Sequence, residues 1–177
     1  MSLSDLEKEQ LKSLARRTIE SVLFGKDKGE VQLSERLKEK NGAFVTIKHK
    51  GQLRGCIGYI RAVLPLHATI SEMALQAAFH DPRFSPLGKD EWKDIDIEIS
   101  VLTPLKKIED VSEIRVGLHG LYIEKDYHSG LLLPQVAEEY HWDAITFLEN
   151  TCHKAGLPKD AWKSENANMY VFSAEIF

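Results

Sequence analysis

The segment from Gly51 to Ile60, GQLRGCIGYI, places a cysteine close to glycines within what otherwise has the composition of a β-strand. Glycine inside a strand costs roughly 0.5–1 kcal/mol relative to alanine, and it marks a bulge or a close approach of another group to the backbone. The polar stretch KHKGQ separates AFVTIK from LRGCIGYI, which is typical of a hairpin connection. We therefore expect Cys56 to lie on a strand antiparallel to AFVTIK, with another group packed closely against it.

The helix before this hairpin has clear start signals. Ser4 and Glu7 form a capping-box pattern, which predicts a helix over residues 5–24. A short helix around SERLKEK should then end at Asn41-Gly42, a dipeptide suited to a left-handed cap. Spacings of three and four predict that the first helix turns these apolar positions toward the core: Leu11, Leu14, Ala15, Thr18, Ile19 and Val22.

The hairpin is followed by an alanine-rich helix, PLHATISEMALQAAFH, which can pack closely against its neighbours. Pro65 suits its first turn, because the missing N–H is unpaired there in any helix. The helix should end near His80, since Asp81 precedes Pro82 and a residue before proline is disfavoured in the α region. The segment HDPRF is therefore predicted to be an abrupt exit from this helix.

The second half of the chain predicts more strands and two more helices. DIDIEISVL alternates between apolar and polar residues, which indicates a strand with one buried face and one solvated face. IRVGLHGLYIEK predicts two short strands broken by GLHG, and a helix is expected near residues 135–140. Asp143 should cap a last helix that ends at Gly156. The residues expected on the inner face of this helix are Ile145, Leu148, Cys152 and Ala155.

Together these elements predict one α+β unit with a mainly antiparallel sheet. We expect the first helix and the alanine-rich helix to pack on that sheet, with both chain termini in the same lobe.

Composition limits the classes of function. The chain has 177 residues, 43% hydrophobic and 28% charged, with a formal net charge of -4, so no broad basic field favours nucleic acid or an anionic membrane. No apolar run reaches the ~18 residues of a membrane span, and a cytoplasmic protein is expected. Two cysteines without a C-x-x-C pair predict free thiols, and scattered histidines predict no metal site.

The two cysteines have different predicted environments. Cys152 lies on an inner helical face, where free cysteine behaves as a small hydrophobe. Arg54 would favour a Cys56 thiolate if the two side chains met, and residues 54 and 56 share a face in an ideal strand. A second interpretation of Cys56 is simple burial in an apolar strand.

Several segments carry a family resemblance. LRGCIG resembles the signature of the AMMECR family, and further matches follow in family order: GAFVTI before it, then AAFHDPRFSPL, DIEISVLTP, VGLHGLYI, LLLPQVAEEYHWDAITFLENTCHKAGLP and VFSAEIF. The resemblance covers nearly the whole chain. It implies a single compact domain with two unequal lobes and with the signature near the groove between them. It also implies a component of an AmmeMemoRadiSam-type system, whose partners are a Memo-like protein and a radical S-adenosylmethionine protein.

Three classes of function stay open. In the first, Cys56 is a nucleophile or covalent anchor in a small-molecule groove, without a cofactor, and His80 is its base. The residues expected to bind a small anionic substrate there are Arg54, Gly55, Gly58, Arg83 and His119. In the second, the protein is a non-catalytic interaction module; His80 then contacts the end of its own helix, and Arg83 forms a surface ion pair with Asp81. The third class, nucleic-acid binding, is disfavoured by the net charge.

Overall fold

The protein is described by a computed structural model covering residues 2–27, 29 and 32–177. Two compact units divide the chain: the first runs to Leu102 and includes Glu175–Phe177, and the second is Thr103–Ala174. The elements in chain order are α1 (Asp5–Phe24), β1 (Ala43–His49), β2 (Gln52–Tyr59), α2 (Leu66–Phe79), β3 (Ile95–Leu102), β4 (Lys106–Ile108), β5 (Gly120–Lys125), β6 (His128–Leu132), α3 (Pro134–Glu139), α4 (Ala144–Lys154), β7 (Ala167–Phe172) and β8 (Ala174–Ile176).

Each unit contains its own four-stranded sheet. The strand order is β2-β1-β3-β8 in the first unit and β4-β7-β5-β6 in the second, and the pairing is antiparallel. The predicted α+β class with a mainly antiparallel sheet and packed helices is confirmed, and the strands divide between two such sheets. The prediction of a single domain stays a prediction. No helix in the described part of the chain combines the length and apolarity needed to cross a membrane.

In the first unit, α1 and α2 pack on one face of the sheet. Alternate residues of β1 and β3 are buried in one core cluster with the inner faces of both helices. Because side chains alternate across a strand, the residues between these positions point to the other face of the sheet. The residues that β1 and β3 contribute to this cluster are Ala43, Val45, Ile47, Ile95, Ile97, Ile99 and Val101.

The predicted start and end of α1 are confirmed, including both hydrogen bonds of the capping box. In the last turn of α1 the buried residue differs from the prediction: Val22 was expected to face the core but is 56% exposed, and Leu23 is buried instead. Leu23 follows Ile19 by four residues, which keeps it on the same stripe of the helix. The next helix is a short 3₁₀ helix, Glu35–Lys38, which ends before the predicted cap at Gly42.

Two predictions in the second unit were wrong. The segment before Gly117 forms a turn and not a strand, since the N–H groups of Leu118 and His119 both donate to the carbonyl of Arg115. Gly117 has a φ of +84° in this turn. Ile145 is 42% exposed, although the helix that follows the Asp143 cap forms as predicted.

Candidate functional site

The Cys56 thiol lies in a row of polar side chains on the sheet face opposite α1 and α2. Cys56 of β2 is directly opposite Thr46 of β1, and Thr46 is opposite Glu98 of β3. Cross-strand neighbours share a face, so a thiol, a hydroxyl and a carboxylate follow one another across three strands. The Thr46 hydroxyl donates a hydrogen bond to the Cys56 Sγ over 3.2 Å. Cys56 is half-buried and Thr46 is buried.

The glycines beside Cys56 accommodate close neighbours. A Cβ on Gly55 would lie 2.1 Å from the carbonyl oxygen of Ala77, so the backbone of α2 passes directly over this position. A Cβ on Gly58 would lie 2.3 Å from Cγ of Phe44, the residue opposite it on β1. Packing within the first unit therefore accounts for both glycines, and their predicted part in substrate binding stays a prediction.

A β-bulge separates Arg54 from Cys56. The register between β1 and β2 shifts after Ile47, which pairs with Gly55, so that Lys48 pairs with Leu53 and Arg54 is the extra residue. A bulge of this kind redirects side chains, so the regular alternation behind the expected shared face does not apply.

The guanidinium of Arg54 forms a two-pronged ion pair with Glu91. Its Nε lies 2.7 Å from Oε1 and its Nη2 lies 3.0 Å from Oε2, and the arginine side chain is only 12% exposed. The hydrogen bond from Arg54 is the main reason why the pKa of Glu91 lies below its usual value. The predicted role of Arg54 in binding an anion stays a prediction, and this ion pair would have to open for it.

The backbone of Cys56 is held by the turn that follows α2. The Cys56 N–H donates to Oδ2 of Asp81 over 2.9 Å, and Arg83 Nη2 donates to the Cys56 carbonyl over 3.3 Å. Arg83 also pairs with Asp81 through Nε to Oδ1 at 2.9 Å and Nη2 to Oδ2 at 2.7 Å. The Asp81 carboxyl is buried, and hydrogen bonds from Arg83 hold its pKa far below the usual range.

The thiol of Cys56 is shifted toward its neutral form. Burial raises its pKa above the ordinary value, and this effect exceeds the opposite effects of the Thr46 hydrogen bond and the Arg83 charge. The condition for a thiolate stabilised by Arg54 is not met, because the Arg54 guanidinium pairs with Glu91, and the burial of Cys56 agrees with the second interpretation of this cysteine. Because the thiolate is the nucleophilic form, chemistry at this sulfur would need a proton acceptor or a binding event that changes its surroundings.

Among the described residues of the first unit, the thiol has no hydrogen bond to His80, and His119 belongs to the second unit. His80 is exposed just after α2, and its backbone N–H donates to the carbonyl of Gln76. The role of the His80 side chain as a base stays a prediction. His119 lies in the second unit, where its Nδ1 accepts from the Arg115 N–H and burial lowers its pKa. Cys152 is completely buried, as its helical position predicted.

Sequence reasoning did not predict that Asp81 and Glu98 lie in the surroundings of Cys56. The pairing of Arg83 with Asp81 was expected only as a surface contact, whereas the carboxylate is buried and also binds the Cys56 strand. The signal for Asp81 was the D-P-R order, which favours a local turn. Glu98 forms an ion pair with Lys48 at 2.8 Å and lies in the same row as Cys56, which depends on strand register.

Two further features bear on what this chain could bind. Within the described residues, no group of three or more His, Cys, Asp or Glu side chains is arranged to hold a metal ion. A concavity of about 340 Å³ lies in the second unit at the β5–β6 hairpin, and none of the predicted site residues lines it.

Comparisons with known proteins identify the relatives of this chain. The family model described as AMMECR1 matches residues 12–177. A protein of Methanothermobacter thermautotrophicus is 45% identical over 99% of this chain and 95% of its own length, and one of Aquifex aeolicus is 45% identical over 95% of this chain and 90% of its own. The crystal structure of an uncharacterised protein from Pyrococcus horikoshii has a TM-score of 0.93, with 42% identity over 98% of this chain and 92% of that one.

Proposed function

The chain belongs to the AMMECR1 family, and from this membership we propose that it works as a component of an AmmeMemoRadiSam-type system. In this proposal it acts with a Memo-like protein and a radical S-adenosylmethionine protein on a small molecule or a modified group. Cys56 is the residue at which this chain contacts the reacting molecule. The partners come from the family resemblance, and the Cys56 site is proposed from the geometry.

The observation that carries the proposal for the site is the placement of the thiol. Cys56 is the half-buried cysteine of the chain, and it sits on a strand where Thr46 and Asp81 determine its surroundings by hydrogen bonds. Rigid strands hold a reactive group more accurately than loops do. The neutral thiol would donate a hydrogen bond to a bound molecule or lose its proton to a basic group of that molecule.

A reconstituted system tests this proposal. The chain would be combined under anaerobic conditions with a Memo-like protein and an active radical S-adenosylmethionine protein from the same genome, and association and S-adenosylmethionine turnover would be measured. We expect the chain to associate and to change turnover, and Cys56→Ser to keep association but lose that change. The matched control is Cys152→Ala, which alters the other thiol. Absence of any association or effect with the wild-type chain would contradict the proposal.

A non-catalytic interaction module is the second candidate, and one observation favours it. Both arginines that were predicted to bind an anionic substrate already have carboxylate partners, Arg54 with Glu91 and Arg83 with Asp81. A cationic group that is neutralised within the chain is poorly suited to bind an anionic substrate. If Cys56→Ser keeps both association and the full effect on turnover, the module is the better description and the thiol has no chemical part.

A further inference from the structure

We propose that Asp81 and Arg83 form a clamp that sets the reactivity of the Cys56 thiol from the outer edge of β2. They are positioning residues, because they act on the peptide groups of Cys56 and on the charge around its sulfur. This inference rests on the proposed function for its biological purpose, since it concerns the same thiol, but its test needs neither a partner nor a substrate.

The clamp holds both polar groups of the Cys56 backbone. β2 is the end strand of its sheet, and the outward N–H and C=O groups of an edge strand have no neighbouring strand to pair with. At Cys56, Asp81 accepts from the N–H and Arg83 donates to the carbonyl. Holding the peptide groups on both sides fixes the Cα of Cys56 and hence the direction in which its side chain leaves the strand.

The local sequence builds the clamp. Pro82 disfavours continuation of α2, and the Arg83 N–H donates to Oδ1 of Asp81 over 3.1 Å, which closes a tight turn over residues 81–83. This turn brings the guanidinium back onto the carboxylate that precedes it, where the two groups form a two-pronged contact. Such paired hydrogen bonds between charged groups are both strong and directional.

The charges around the thiol make the proposal testable. Four charged groups face this region: Asp81 and Arg83 from the turn after α2, Glu98 from β3, and Lys48 from β1, which pairs with Glu98. Since Asp81 and Arg83 balance each other, removing the charge of one leaves that of the other beside the sulfur. Losing the carboxylate should favour the thiolate, and losing the guanidinium should disfavour it.

The measurement is the alkylation rate of Cys56 by iodoacetamide from about pH 7 to pH 11, a range that extends above ordinary thiol titration because burial raises the pKa of this thiol. Cys56 and Cys152 would be distinguished by mass-spectrometric mapping of peptides from the intact, folded chain. We expect Asp81→Asn to move the midpoint of the rate profile down by about 1 pH unit, and Arg83→Gln to move it up by about 1 pH unit.

The control is Glu175→Gln, which removes a partly buried carboxylate that also binds a backbone N–H and a cation. It should leave the Cys56 profile unchanged. A purely structural role predicts a different result: both clamp variants would loosen the strand, and alkylation would become faster in both.

Shifts of the two clamp variants in the same direction, or shifts no larger than that of the control, would overturn the proposal. If Asp81→Asn does not fold by circular dichroism, Arg83→Gln carries the test alone, since the Arg83 side chain is 46% exposed and tolerates replacement more easily. If the two clamp variants shift the alkylation midpoint of Cys56 in opposite directions but the reconstitution with the two partner proteins fails, the clamp is established and only the proposed function is contradicted.

Discussion

At the scale of single residues, Gly55 is the position with the least freedom near the candidate site. Its missing side chain lets the carbonyl of Ala77 approach, and this neighbour is helix backbone that cannot rotate away. We expect Gly55→Ala to destabilise the protein by about 1–3 kcal/mol or more, because an added methyl group must displace α2 from the sheet. Urea unfolding followed by circular dichroism measures the change.

The matched control for this substitution is Gly88→Ala. A Cβ on Gly88 would meet Oδ1 of Asp90 at 2.5 Å, but this atom is the end of a side chain that can move. Gly88→Ala should therefore lower the free energy of unfolding clearly less than Gly55→Ala does. Equal losses of stability in the two variants would mean that α2 can move away at Ala77 to admit the methyl group. Close packing would then not explain why residue 55 is glycine.

At the scale of elements, the capping box begins α1 and joins it to the rest of the first unit. The Glu7 N–H donates to Oγ of Ser4 over 3.3 Å, the Ser4 N–H donates to Oε2 of Glu7 over 2.9 Å, and Oε1 of Glu7 accepts from the Ser34 hydroxyl. We expect Ser4→Ala to lower the free energy of unfolding by about 1 kcal/mol, since a helix start loses its side-chain acceptor.

Ser13→Ala in the middle of the same helix separates capping from composition. Alanine is the better helix former at an interior position, so this variant should be neutral or slightly stabilising. Thermal unfolding of both variants gives the comparison. A loss of stability in Ser13→Ala as large as that in Ser4→Ala would show that the cap is not the cause.

At the scale of the whole molecule, the two ends of the chain are joined within the first unit. Glu175 accepts from the Leu3 N–H over 2.9 Å and from the Ser2 hydroxyl, and it pairs with Lys8 at 2.9 Å. Burial alone would raise the pKa of Glu175, but these hydrogen bonds and the Lys8 charge lower it to about 2 from 4.5.

A pKa lowered by folding makes stability depend on pH. The contribution of Glu175 is complete above its unfolded pKa near 4.5 and is lost as the pH falls toward about 2, because protonation then removes the ionised form that the fold prefers. We expect the stability difference between wild type and Glu175→Gln to shrink over this interval. Urea unfolding at several pH values measures it, and a difference that stays constant would contradict the assigned role.

Local signals determined much of the fold. The start and end of α1, the β1–β2 hairpin, the exit of α2 before Pro82 and the Asp143 cap depend on neighbouring residues, and all were predicted from the sequence. The family assignment likewise came from motifs along the chain. Predictions failed where local periodicity was ambiguous, as at Val22, where the stripe continues through Leu23.

The surroundings of Cys56 were decided by tertiary structure. Arg54 lies at a bulge in the pairing of β1 and β2, and its guanidinium binds Glu91. The packing of α2 over Gly55 places Asp81 and Arg83 beside the Cys56 strand. These contacts join residues far apart in sequence, and no spacing rule encodes which charges will meet. The sequence by itself thus determined the bounds of those elements that have strong local signals, whereas the pKa and partners of the thiol depended on how the elements pack, because burial and charge proximity are properties of the folded chain.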